Sequence, residues 1–184
     1  RRELLPGLNA RIRSEGCVNV LPAIELDVFG AWPDHEYAAA YSANTAHIMS
    51  WPGVCAMFSG VGRRLHGGGP FCLYGPFNIG DRFTSASNEE FDRALRQRDP
   101  DMGLRDVEAL DSLGRGHQMA LQERIRMPAN NLLLVFARVV PSDAKTWRVD
   151  VLFRSDWQDK ELAWVPGTRS SWRAVSGVME ALPL

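Results

Sequence analysis

Apolar positions crowd the last third of the chain. Leu132, Leu133, Leu134, Val135, Phe136, Ala137, Val139 and Val140 form a run of branched and aromatic types interrupted only by Arg138. Such a run fits a pleated, buried strand. After the turn-forming segment from Pro141 to Lys145, Trp147, Val149, Val151 and Phe153 alternate with Arg148, Asp150, Leu152 and Arg154. That is the period of a strand with one dry face, and the two segments together predict an antiparallel hairpin. Setting Val139 opposite Val149 places Ala137 against Val151, Val135 against Phe153 and Arg138 against Asp150. A two-residue slip would instead oppose Arg138 and Arg148, a repulsive cross-strand pair. Upstream, Met119, Leu121, Ile125 and Met127 fall on odd positions among Gln118, Gln122, Arg124 and Arg126, with Glu123 as the misfit. The spacing predicts a third strand over 117–127, in competition with a helix that the same Gln, Glu, Arg and Leu residues favour.

The remaining patterns are shorter. Leu4, Leu5, Leu8 and Ile12 stand at helical spacing, which makes 1–16 an N-terminal arm or short helix and leaves 17–184 as a single globular domain. Alternation from Val18 to Phe29 predicts one or two strands, with Pro22 at an edge or bulge. Segment 36–50 is open between an Ala-rich helix and a loop, ended by Trp51-Pro52-Gly53. Val54, Ala56 and Phe58 then alternate with Cys55, Met57 and Ser59, predicting another strand. A loop with five glycines follows from Gly60 to Pro70, then a short strand at Phe71 to Tyr74. Ser87 with Glu90 forms a capping box before the stripe of Phe91, Ala94 and Leu95, a helix ending before Pro100. A second helix is expected from Leu104 to Leu113, closed by Gly114. Leu162 to Val165 suits a last strand, and Ser170 or Ser171 suits the cap of a final helix. The sum predicts an α+β fold, a mainly antiparallel β sheet (sandwich or jelly-roll-like arrangements included) with two or three short helices.

Composition changes this picture little. Hydrophobic residues at 45% and charged residues at 23% are ordinary globular values, and a formal charge of −1 exerts no pull on nucleic acid or an anionic membrane. Nucleic acid is therefore not an indicated partner. All 21 basic residues except Lys145 and Lys160 are arginine, which suits carboxylate, phosphate or interface contacts. Cys17, Cys55 and Cys72 are odd in number and widely spaced, so neither a disulfide framework nor a zinc knuckle is expected. No apolar run approaches the roughly twenty residues of a membrane span. The expectation is a soluble protein of a reducing compartment (cytoplasm) or a virion. A start at Arg1-Arg2 is compatible with a truncated or a processed chain.

Candidate chemistry is sparse. His66-Gly67-Gly68-Gly69 resembles the oxyanion-loop motif of lipases and esterases, but the G-x-S-x-G elbow which that fold needs is missing. Leu65 stands where the third glycine of a G-x-G-x-x-G pattern starting at Gly60 would fall, and no G-x-x-x-x-G-K-[ST] pattern occurs. Arg63, Arg64 and His66 in the glycine-rich loop form a candidate anion site, because backbone N–H groups and guanidinium forks suit phosphate or carboxylate. Asp34-His35-Glu36, His47 and His117 make no metal signature, and structural or surface roles are expected for them. A nucleophilic pair of Cys55 or Cys72 with His66 is weaker than a buried, inert thiol. Trp157, Trp164 and Trp172 are interface candidates. No cofactor, metal or catalytic residue is assigned. The leading expectation is a non-enzymatic assembly protein binding other protein subunits, such as a viral capsid component; the 131–156 hairpin resembles the closing strands of jelly-roll coat proteins. The alternative is a small enzyme or ligand-binding domain using the 60–70 loop.

Overall fold

The computed structural model describes residues 2–140, 170–175 and 178–183, the last two segments as backbone only. The chain forms two compact units, Arg1–Asp34 and His35–Leu184. In the first unit, a 3-10 turn at Arg2–Leu4 leads into helix α1, Leu5–Ser14, with Pro6 in its first turn. Proline is tolerated there because the first helical N–H groups have no partner to lose. The Asn9 carboxamide bonds Ala23 in both directions, accepting from its N–H at 2.6 Å and donating to its carbonyl at 3.3 Å. The predicted strands over 18–29 are not formed: the segment has turns at both ends, and Val18 is fully exposed. Its alternation has no partner strand to dry it.

The second unit is built on a four-stranded mixed sheet of order β1-β2-β6-β5, comprising Ala40–Ala43, Pro70–Gly75, Asn131–Arg138 and Met119–Met127. Strands β1 and β2 are parallel, and β2–β6 and β6–β5 are antiparallel. This overturns the expectation of a mainly antiparallel sandwich or jelly-roll-like sheet. The physical reason lies in helix α2, Trp51–Arg64, which occupies the place of an expected strand. Val54, Met57, Phe58 and Val61 stand at i, i+3, i+4 and i+7 and are all buried. The Ser50 hydroxyl accepts from the Gly53 N–H at 3.3 Å, and Pro52 sits in the first turn, where it starts the helix. A crossover helix joins parallel neighbours, so reading α2 as a strand hides the parallel pair.

Strand β6 is central, and five consecutive residues from Leu132 to Phe136 are buried. A strand covered on both faces reads as a continuous apolar run. Both its edges are filled: Val135 faces Cys72 and Glu123, and Ala137 faces Pro70 and Ala120. The predicted pairing of these residues with Phe153 and Val151 is thereby excluded, and 141–169, including the expected second ribbon and the strand at 162–165, lies outside the described residues. The third-strand prediction holds. Strand β5 carries a bulge between Leu121 and Glu123 that absorbs the break in its alternation. The β5–β6 turn puts both Ala129 and Asn130 at positive φ, the form that suits a hairpin's twist.

Phe58 of α2 meets Phe71 and Phe136 edge-on, with ring centres 5.4 and 5.2 Å apart, and this trio ties the helix to the sheet. Helix α3, Ala86–Arg98, is capped by Ser85 accepting from the Asn88 N–H, so it begins slightly earlier than the Ser87 box implies. Helix α4, Val107–Gly116, is capped by Asp106. Gly114 lies inside it rather than after it: a Cβ there would stand 3.0 Å from the Met119 carbonyl and 3.1 Å from the Phe136 ring. Two short strands, β3 (Phe77–Asn78) and β4 (Arg105–Asp106), pair in parallel. The C-terminal segments are strands β7, Ser170–Val175, and β8, Val178–Pro183, in place of the expected final helix.

Candidate functional site

In open sheets with parallel strands, ligands bind in the crevice outside the carboxyl ends of those strands. Here those ends are Ala43 of β1 and Gly75 of β2. The loop between β1 and α2 opens with Asn44 in the left-handed conformation (φ 54°), its N–H donating to the Tyr74 carbonyl at 2.9 Å. Thr45 and Ser42 share a hydroxyl hydrogen bond. Three residues after Asn44, His47 is buried, 6% exposed, with its ring edge-on to Phe91 of α3 at 5.3 Å. A Cβ on Gly75 would lie 3.6 Å from His47 Nδ1, 3.8 Å from Asn44 Oδ1 and 3.8 Å from the Phe77 ring. The end of β2 thus packs beside His47, Asn44 and Phe77.

Burial, with the Arg105 charge adding to it, pushes the His47 pKa below the ordinary imidazole value. The ring is neutral at pH 7. Neither of its nitrogens has a hydrogen-bond partner among the described residues. At the end of β3, the Asn78 side-chain oxygen is buried without a partner among those residues, an arrangement that calls for a donor.

A second segment, around Gly103, is bonded to the His47 backbone. Gly103, at φ 140°, donates its N–H to the His47 carbonyl at 2.9 Å. The buried Asp92 accepts from the Leu104 N–H and from Arg96 Nε, both at 2.7 Å. Two further carboxylates clamp the turn that follows β3. Glu108 accepts from the Gly80 N–H at 2.9 Å and Asp106 from the Asp81 N–H at 2.7 Å. The Gly80 bond and others hold the Glu108 pKa down at about 2.

The residues singled out from sequence lie elsewhere. Arg63 and Arg64 belong to the last turn of α2 instead of a loop. Arg63 donates to the Ser59 hydroxyl at 2.6 Å, and the Arg64 carbonyl accepts from the Tyr37 N–H. His66 Nδ1 lies 3.1 Å from Glu36, each side chain 57% exposed. These three stand at the amino end of β2, the opposite end of the parallel pair from His47. The carboxyl end of a helix carries the negative end of its dipole, which does not favour an anion there. The thiol of Cys72 has its pKa pushed up to about 11 by burial, so it is protonated at neutral pH and unsuited to nucleophilic attack. Trp157 and Trp164 lie outside the described residues; Trp172 stands on β7, opposite Ala181. Among the described residues no group of three His, Cys, Asp or Glu could hold a metal, and no helix is long and apolar enough to cross a membrane. No local motif marks His47, Asn44 and Asn78, because four separate stretches, around 44–47, 75–78, 91–92 and 101–106, build the site together.

The fold is similar to that of several solved methyltransferases. An O-methyltransferase family 2 protein from Planctomyces limnophilus, solved in complex with apigenin, superposes with a TM-score of 0.66 at 16% identity, over 76% of this chain and 41% of that one. The mitomycin 7-O-methyltransferase MmcR gives 0.65 at 12% identity, over 76% and 40%. PigF, solved with SAH, gives 0.60 at 13% identity, over 72% and 39%. At such identities the likeness establishes the fold. This chain spans about two fifths of the length of these structures. A family model described as protein of unknown function (DUF938) matches residues 1–138, and the chain belongs to that family. These findings overturn the expectation of a capsid, virion or other structural particle subunit: a mixed sheet with a parallel crossover, shared with enzymes, replaces the rigid antiparallel slab on which that expectation stood.

Proposed function

We propose that this chain forms part of a methyl-transfer enzyme acting on a hydroxyl of a small molecule, with the reacting groups meeting at the carboxyl ends of β1 and β2. The observation that carries the reading is His47: a neutral, buried imidazole, without a hydrogen-bond partner among the described residues, at the ligand end of a fold shared with O-methyltransferases. S-adenosylmethionine, when bound, would supply an electrophilic methyl group on a sulfonium. The residues present suit part of such a group. Asn78 Oδ1 lacks a donor that an amino or hydroxyl group would provide. The 44–50 loop contains no glycine, so its contacts to such a group would come from the Asn44 and His47 side chains and from ordinary backbone.

His47 would take the proton that the acceptor hydroxyl gives up when it receives the methyl group, which the sulfonium of the bound cofactor would supply. A neutral base at pH 7 can do so, and a positioned base contributes about 10²–10⁴-fold. The test is transfer of radiolabelled methyl from S-adenosylmethionine to a panel of phenols, together with calorimetry of SAH binding. The expected result is binding and transfer, with His47→Ala lowering transfer about 10²–10⁴-fold while SAH still binds. Absence of SAH binding by the unaltered chain, or transfer indifferent to His47→Ala, would overturn the reading.

A further inference from the structure

We propose that Arg105 is a positioning residue for this site: it holds the β1–α2 loop in the shape that presents His47, and touches no reacting atom itself. This role rests on the reading of His47 as the proton acceptor.

The Arg105 guanidinium directs its donors at backbone. Its Nε donates to the Ala46 carbonyl at 3.1 Å, and one terminal nitrogen donates to the Met49 carbonyl and, at 2.8 Å, to that of Asp101. Ala46 and Met49 bracket His47 and Ile48, so a single side chain grips the turn on both sides of the imidazole. The His47 carbonyl between them goes to the Gly103 N–H, two residues before Arg105. Three carbonyls of one short turn are thus satisfied from one segment. Carbonyls in a half-buried turn must find donors, and the turn's own bond, Ile48 N–H to the Thr45 carbonyl at 3.1 Å, supplies none for these three.

No carboxylate lies within ion-pair distance of Arg105 among the described residues. A half-buried guanidinium satisfied by backbone alone is best explained by the backbone it shapes. Its own placement is fixed. Arg105 pairs with Phe77 in the β3–β4 ladder, which anchors it beside the end of β2, and Asp92 holds the preceding Leu104 N–H. A planar fork can span two carbonyls three residues apart, which the point charge of lysine cannot. The charged groups of this segment are Arg105 at the start of β4 and those that act on it: Arg96 and Asp92 on α3 and Asp101 in the loop before β4. Of these, Arg105 lowers the pKa of His47, so the contact shapes the base's charge state as well as its place.

The experiment uses Arg105→Lys and Arg105→Met in the full chain, with three readouts: thermal melting, NMR of the His47 titration and the Ile48 amide exchange, and methyl-transfer kinetics. Arg105→Lys keeps the charge and loses the fork. It is expected to leave the His47 titration low while kcat falls about 10²-fold, as an ångström-scale misplacement does. Arg105→Met is expected to raise the His47 titration toward the ordinary imidazole value and to speed amide exchange at Ile48. If Arg105→Met does not fold, Arg105→Lys with its amide exchange decides the question alone. A role confined to stability would lower the melting temperature and leave the His47 titration, the Ile48 exchange and kcat as in the unaltered chain, and that outcome overturns the proposal. Should the unaltered chain transfer no methyl group, the reading of function fails, while titration and exchange still judge the positioning claim.

Discussion

His47 and His66 stand at opposite ends of the same β1–α2–β2 unit, and the contrast between them shows what makes an imidazole chemically useful. His47 is buried at the carboxyl ends of the strands, held by carbonyl contacts on each side and kept neutral by burial. His66 lies in solvent at the amino end, paired with an equally exposed Glu36. The first environment fixes position and charge; the second offers only an exposed pair, worth at most about 1 kcal/mol. The sequence neighbours of His66, with their glycines and arginines, look the more functional. Packing favours the plainer Asn44-Thr45-Ala46-His47.

Gly103→Ala should disturb the His47 end most. The φ of 140° at this position is open to glycine alone, and a Cβ would meet Arg96 at 2.5 Å and Asp92 Oδ1 at 2.8 Å. Backbone strain of this kind costs about 1–3 kcal/mol. Arg96 can swing into solvent, but Asp92 is held by Leu104, so the substitution should lower stability by at least that range in chemical denaturation and release the His47 carbonyl. A pH titration of stability gives an intermediate effect. The folded pKa of His47 lies below its ordinary value, so above about 6.5 both folded and unfolded forms are neutral and the group has no effect. As pH falls through that value the unfolded chain takes up a proton that the folded one refuses, and stability declines. His47→Asn should flatten this slope below about pH 6.5. The smallest effect is expected from His66→Ala at neutral pH, below about 0.5 kcal/mol in the same denaturation assay.

Legibility of the fold in the sequence depends on whether each pattern has one interpretation. Strand β6 is legible because a run from Leu132 to Phe136 has no polar face to offer a surface helix. Strand β5 is legible apart from its bulge. In α2, Val54, Ala56 and Phe58 satisfy a period of two, while Val54, Met57, Phe58 and Val61 satisfy the helical one. The deciding signals are Ser50 as cap and Pro52 in the first turn, and Trp51-Pro52-Gly53 reads equally as a stop. That ambiguity removes the crossover and, with it, the parallel pair and the ligand end of the sheet. Nothing local marks His47 as buried; its burial comes from Phe91, Gly75 and Gly103, at sequence distances no motif spans.

An NMR titration of the full chain with SAH, following backbone amides, tests most directly whether the His47 end of the sheet is the ligand end. Shifts concentrated at Asn44 to Ile48 and Gly75 to Asn78, with Arg63 to His66 unmoved, are the predicted result. Shifts confined to Arg63 to His66, or none at saturating ligand, would contradict it.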